Sequence, residues 1–197
     1  MKVAKFGGTS LASAEQIKKV CSIVTSDPER RIIVVSAPGK RHKDDIKVTD
    51  MLIACAQAAL ENGSAERELQ AVAQRYADIA AELNLPESIA NEIAEDLKRR
   101  VDGNKSNKEK YIDSLKAAGE DNCAKLVAEY LKSTGADARY VSPKGAGLLL
   151  SDEYGNAQVL PQSYDNLKSL ADYSGITIFP GFFGYSLNGD IVTLPRG

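Results

Sequence analysis

Apolar positions along this chain fall into short β-rich runs at both ends and a long helical stretch between them. Residues 2–6 and 31–36 are compact runs, and Ile32-Ile33-Val34-Val35 in the second is too uniformly apolar to have a wet face. Such a run predicts a strand in a parallel sheet covered on both sides. Between the two, Ser13-Ala14-Glu15-Gln16 offers a capping box, and Ile17, Val20, Cys21 and Val24 keep helical spacing until Asp27-Pro28, which predicts a strand–helix–strand unit. After a polar loop over 38–47, a helix opens near Val48-Thr49-Asp50, and helical spacing continues to Leu131. Breaks at Gly63, Pro86, Asp102-Gly103-Asn104 and Gly119 divide it into about five helices, a helical insertion over about 48–134. The polar stretch 98–110 is expected to be a solvated loop. Strand signals return at 137–141, 147–151 and 176–180, with a helix over 162–173. Residues 182–187 and 190–194 form the arms of a C-terminal β-hairpin around Asn188-Gly189, a pair suited to a type I′ turn. The pattern predicts an α/β fold with a mainly parallel sheet of roughly seven strands and helices on both faces, a three-layer α/β/α sandwich.

Composition leaves this picture intact and removes several functions. The 197 residues are 43% hydrophobic and 26% charged, enough for one substantial core. Lys plus Arg number 25 against 27 Asp plus Glu, for a net charge of -2, so no global field draws the chain to nucleic acid or to anionic lipid. No apolar run approaches membrane-spanning length, no early segment has a signal-peptide pattern, and the cytosol is the expected compartment. Cys21, Cys55 and Cys123 are widely spaced within helix-like segments and are expected to be reduced packing residues. His42, the single histidine, stands in a polar loop. No metal ligand set is predicted.

The candidate chemistry begins at Lys5, a cation inside an apolar strand, followed at once by Gly7-Gly8-Thr9-Ser10. Adjacent glycines let backbone N–H groups close on an anion without Cβ obstruction, which suits a phosphate. The plain structural alternative is an edge strand whose Lys5 reaches water. Neither GxxxxGK[ST] nor GxGxxG is present. Instead, glycine-bearing turns follow three strands: Gly7-Gly8, Ser36-Ala37-Pro38-Gly39 and Pro180-Gly181. In an open parallel sheet, loops at the carboxyl ends of strands converge on one crevice.

Six segments in order resemble the amino acid kinase superfamily, and within it the aspartokinases. They are Lys5-Phe6-Gly7-Gly8-Thr9-Ser10, Val34-Val35-Ser36-Ala37, Lys47-Val48-Thr49-Asp50, Gly119-Glu120, Pro180-Gly181-Phe182-Phe183-Gly184 and Thr193-Leu194-Pro195-Arg196-Gly197. The resemblance implies the N-terminal, aspartate-binding lobe of an amino acid kinase domain over 1–197. It also implies phosphoryl transfer from ATP, with Mg2+ carried mainly by the nucleotide, to the β-carboxylate of L-aspartate. The product, 4-phospho-L-aspartate, opens lysine, threonine and methionine synthesis. By position, Lys5 matches the charge stabiliser, and Phe6, Gly7 and Gly8 line the phosphate path. Glu120 matches the acid that meets the α-ammonium, Arg196 the clamp on the α-carboxylate, and Ser36 and Thr49 the hydroxyls bordering the pocket. Without that frame, Glu120 would favour the start of a helix at Gly119, Thr49 would cap a helix and Arg196 would be a surface residue. The family pattern continues past Arg-Gly into a second, nucleotide-binding half and paired ACT regulatory modules, so the fragment alone is expected to be inactive. A homodimer is the partner arrangement implied. Glutamate or N-acetylglutamate kinases, and a non-catalytic module keeping the same scaffold, are the alternatives.

Overall fold

The computed structural model describes residues 1–195. Arg196, and with it the expected clamp on the α-carboxylate, lies outside the described residues. Strands β1 (Lys2–Phe6), β2 (Arg30–Val35), β3 (Ala138–Tyr140) and β4 (Ile176–Pro180) form a sheet in the order β1-β2-β4-β3, with every neighbouring pair parallel. Alternate residues of β2 serve opposite layers: Ile33 and Val35 enter the main helical core, whereas Ile32 joins a smaller core with Phe179 and Leu170. That division is what a continuous apolar strand was expected to need.

On the main face, α1 (Ala14–Thr25) buries Ile17, Val20, Cys21 and Val24, and Ser13 caps it by accepting the Gln16 N–H at 3.4 Å. Between β2 and β3 lie four helices, not five: α2 (Val48–Asn62), α3 (Glu66–Glu82), α4 (Glu87–Val101) and α5 (Lys108–Ser133). Gly119 does not break the chain but sits inside α5, where a Cβ would come within 2.7 Å of Ala37 Cβ and 3.3 Å of Leu52 Cδ1. It is a packing glycine, kept small so that α2 and the loop after β2 can close on α5. The solvated loop shrinks to 102–107, because α4 runs to Val101 and Asn107 caps α5 by accepting the Lys110 N–H at 3.0 Å.

The opposite layer is thin, made of α6 (Pro143–Ala146), α7 (Gln162–Asn166) and a 3₁₀ turn over Leu167–Asp172. The helix expected over 162–173 is thus split between two geometries. The strand expected at 147–151 does not form a ladder: Leu149 bridges Tyr185 and Leu150 bridges Val159 as isolated pairs. The described residues therefore hold six strands, the last two being the antiparallel hairpin β5 (Phe183–Tyr185) and β6 (Ile191–Thr193). Its turn is not type I′, since Gly189 is at φ 82 but Asn188 is not at positive φ. Gly189 N–H donates to Ser186 O, and Ser186 N–H to Asp190 O, both at 2.9 Å, closing a turn with a glycine bulge.

All three cysteines are free and buried. Burial pushes the thiols of Cys21 and Cys55 up to about 12 and that of Cys123 higher still, as inert packing residues require. Among the described residues, no helix is long and apolar enough to cross a membrane.

Candidate active site

The carboxyl ends of β1, β2 and β4 open into a cleft of about 350 Å³ lined by Lys5, Ser36, Lys47, Thr49, Glu120 and Phe182, among others. Register explains the convergence: Lys5 lies opposite Val34 and Val35 opposite Pro180, so Ser36 and Gly181 follow neighbouring strands at one level. A second compartment of about 200 Å³ shares Ser36, Lys47, Thr49 and Glu120 and is walled by Gly8-Thr9 and Ala37-Pro38-Gly39. The two glycine loops touch directly, with Gly39 N–H donating to Gly8 O at 2.8 Å.

The structure thus brings together Lys5, Gly8, Ser36, Thr49 and Glu120. Lys5 is exposed on a strand at the sheet edge among the described residues, as the plain alternative supposed, yet it opens onto the shared cleft. Phe6 turns its side chain towards the main core, which leaves only its backbone for any part in a phosphate path. Gly7 precedes a 3₁₀ turn (Gly8–Leu11) at the strand end and does not line either compartment. Glu120 is 6% exposed in the middle of α5, so the helix-start alternative for it is gone. Thr49 does not cap α2, because the N-cap position is Lys47 and Thr49 lies in the first turn, facing the cleft. His42 is exposed and takes no part in either compartment.

Several supports were not legible beforehand. Arg75, 4% exposed on α3, donates to Ala12 O at 3.1 Å, to Gly39 O at 2.8 Å and to Asp45 at 2.9 Å, tying the loop after β2 to the turn just before α1. Hydrogen bonds from Arg41, then those from Arg75, outweigh burial and hold the Asp45 carboxyl far below the usual carboxylate range. Tyr76 donates its hydroxyl to Gly119 O at 2.7 Å, fixing α5 one residue before Glu120. Phe182, a wall of the cleft, is held at φ 72, a conformation rare for a bulky residue and one that collects at functional sites. Periodicity carries no trace of a left-handed phenylalanine. Lys47, the first residue of the Lys47-Val48-Thr49-Asp50 segment, also lines both compartments.

The profile of the amino acid kinase family matches residues 1–197. This chain belongs to the amino acid kinase family. Among amino acid kinases, aspartokinase 3 of Bacillus subtilis (strain 168) is 56% identical over 196 residues, covering all of this chain but 43% of that protein. Chloroplastic aspartokinase 1 of Arabidopsis thaliana is 30% identical over 205 residues, covering 99% of this chain and 36% of that protein. Of solved structures, Clostridium acetobutylicum aspartate kinase superposes with a TM-score of 0.80 at 33% identity, over 99% of this chain and 41% of that one. E. coli aspartokinase III in complex with aspartate and ADP superposes with a TM-score of 0.82 at 26% identity, over 99% and 43%. The chain spans less than half the length of these kinases.

Proposed function

We propose that this chain is the N-terminal, aspartate-binding lobe of an aspartate kinase, which transfers the γ-phosphoryl group of ATP to the β-carboxylate of L-aspartate. The observation that carries this reading is the meeting of Lys5, Ser36, Thr49 and Glu120 in one cleft at the carboxyl ends of parallel strands. The likeness to a kinase solved with aspartate and ADP supports it.

In the proposed reaction a β-carboxylate oxygen attacks the γ-phosphorus, the bond from that phosphorus to the bridging oxygen breaks, and ADP leaves with the electron pair. Such a step needs two anions aligned and charge drawn from the transferred group, more than covalent help from the protein. Lys5 supplies that charge. A cation about 4 Å from the developing anion contributes about 4 kcal/mol at an effective dielectric of 20, which is about a thousandfold in rate. Glu120 meets the substrate ammonium, Ser36 and Thr49 offer hydroxyls to its polar atoms, and Arg196 takes the α-carboxylate. An acylated amine carries no charge for Glu120 to meet, which favours aspartate over N-acetylglutamate. Around this cleft the described side chains supply the ammonium groups of Lys5 and Lys47 and the single carboxylate of Glu120, a donor set that does not fit a resident divalent cation. Mg2+ belongs to the nucleotide substrate in this reading. Because the chain spans 43% of its Bacillus relative, the remaining nucleotide contacts are assigned to the rest of the enzyme, and the lobe alone should turn over little or no substrate.

Phosphorylation of aspartate, glutamate and N-acetylglutamate by the full-length protein, measured side by side, should show turnover with aspartate. Turnover with N-acetylglutamate and none with aspartate would overturn the substrate assignment. Lys5→Ala should lower kcat by about a thousandfold while sparing part of the aspartate affinity. Full activity from residues 1–197 alone would refute the lobe assignment.

A further inference from the structure

Lys47 lines both compartments of the cleft, and its place in the fold is costly for a lysine. It occupies the N-cap position of α2, where its side chain makes no capping hydrogen bond. Serine, threonine, aspartate and asparagine are favoured there because they accept a backbone N–H, and a cation sits badly beside the positive end of a helix dipole. Nor does another contact offset that cost: the Lys47 ammonium makes no hydrogen bond or ion pair with another described residue, and the residue is exposed. Its backbone carbonyl does the structural work, accepting the Asp50 and Met51 N–H groups at 3.0 Å each, a role open to any side chain.

We propose that Lys47 is a second phosphate-binding lysine, lining the larger compartment together with Lys5 and holding the terminal phosphate of the nucleotide. The inference rests on the kinase reading above. It assigns Lys47 to the phosphate rather than to the amino acid for two reasons. The smaller compartment it enters is walled by the glycine-bearing loops Gly8-Thr9 and Ala37-Pro38-Gly39, a surface of backbone that suits phosphate oxygens. An ammonium held by Glu120 would repel a lysine placed on the amino acid itself. With both lysines in place, the phosphoryl group meets two positive charges, and this helps a polyanionic donor approach an anionic acceptor.

The test is Lys47→Ser and Lys47→Arg in the full-length protein. Lys47→Ser should lower kcat/KM for ATP by about tenfold or more, leave KM for the amino acid nearly unchanged, and weaken calorimetric binding of inorganic tripolyphosphate. The same variant should raise Tm by about 2–4 °C, because a capping side chain replaces a cation at the helix start. Lys47→Arg should retain most of the activity. Unchanged kcat/KM and tripolyphosphate affinity in Lys47→Ser would overturn the proposal, and so would a fall in Tm accompanying lost activity, which would mark Lys47 as merely structural. If wild-type protein phosphorylates a different carboxylate, the substrate reading fails separately, and the tripolyphosphate comparison still decides for or against Lys47.

Discussion

Gly7 and Gly8 are adjacent and chemically identical, yet the fold asks different things of them. A Cβ on Gly8 would lie 2.9 Å from Ala37 O and 3.2 Å from the Gly39 backbone, so this glycine exists to let two loops touch. A Cβ on Gly7 would meet nothing within 4 Å, and its φ of -79 suits any residue. Gly8→Ala should therefore destabilise the protein by about 1–3 kcal/mol through forced loop movement. Gly7→Ala should be neutral or stabilising by up to about 1 kcal/mol. Denaturant midpoints of the two variants check this, and equal losses would contradict it. The contrast leaves Gly7 with no packing role among the described residues. In sequence the pair is one motif, because spacing records that side chains are missing but not what fills the space.

Among the elements, α5 connects the two sides of the cleft. Asp113 lies seven residues before Glu120, two turns away on the same face, and its side chain is 2% exposed. It accepts the N–H groups of Gly155 and Thr193 at 2.8 Å each and the Thr193 hydroxyl at 2.9 Å, and it pairs with Lys116 at 2.7 Å. Through Thr193 the helix holds the end of β6, and Leu194 and Pro195 follow directly into the cleft. Asp113→Asn keeps the shape but removes the charge and one acceptor, leaving the Lys116 ammonium with the Thr193 hydroxyl at 3.1 Å but without its carboxylate. It should cost about 3–5 kcal/mol and raise KM for the amino acid more than it lowers kcat. Chemical denaturation and steady-state kinetics on the full-length variant test both parts, and an unchanged stability would dismiss the strut. An Asp-x-x-Lys pair on a helix is ordinary in sequence. Its importance comes from a hairpin 80 residues away.

Across the whole molecule, carboxylates tie one element to the next, as along the run α4, α5 and β3. Arg100 on α4 bridges Asp96 and Asp121, Asn122 donates to Asp96, and Tyr140 on β3 donates to Asp121. Burial alone would raise the Asp96 carboxyl, but the charges of Arg100 and Lys125 and the hydrogen bonds from Asn122 and Arg100 outweigh it and hold the group below its usual range. Asp45 is held low as well, chiefly by Arg41. A carboxyl whose folded pKa is depressed contributes stability that is fully present above its unfolded value of about 3.9 and is lost as pH falls towards the folded value. Stability should therefore decline with pH below about 4, with a shallower decline in Asp96→Asn. Urea midpoints between pH 6 and pH 3 provide the measurement, and an identical slope in the variant would remove Asp96 from the account.

What the sequence by itself determined was whatever depends on local pattern: the strand–helix–strand opening, the paired faces of β2, the Ser13 cap, the terminal hairpin and the glycine turns after three strands. Local chemistry and periodicity suffice for these because each is specified within a few residues. Only the tertiary structure decided that Gly119 packs rather than breaks, that Glu120 is buried in mid-helix, that 147–151 makes bridges instead of a ladder, and that Arg75 and Asp113 brace the cleft. Each of those depends on a partner beyond the reach of local pattern, as distant as 80 residues for Asp113 and Thr193. A missing side chain, a buried charge or an extended segment takes its meaning from what the fold places against it.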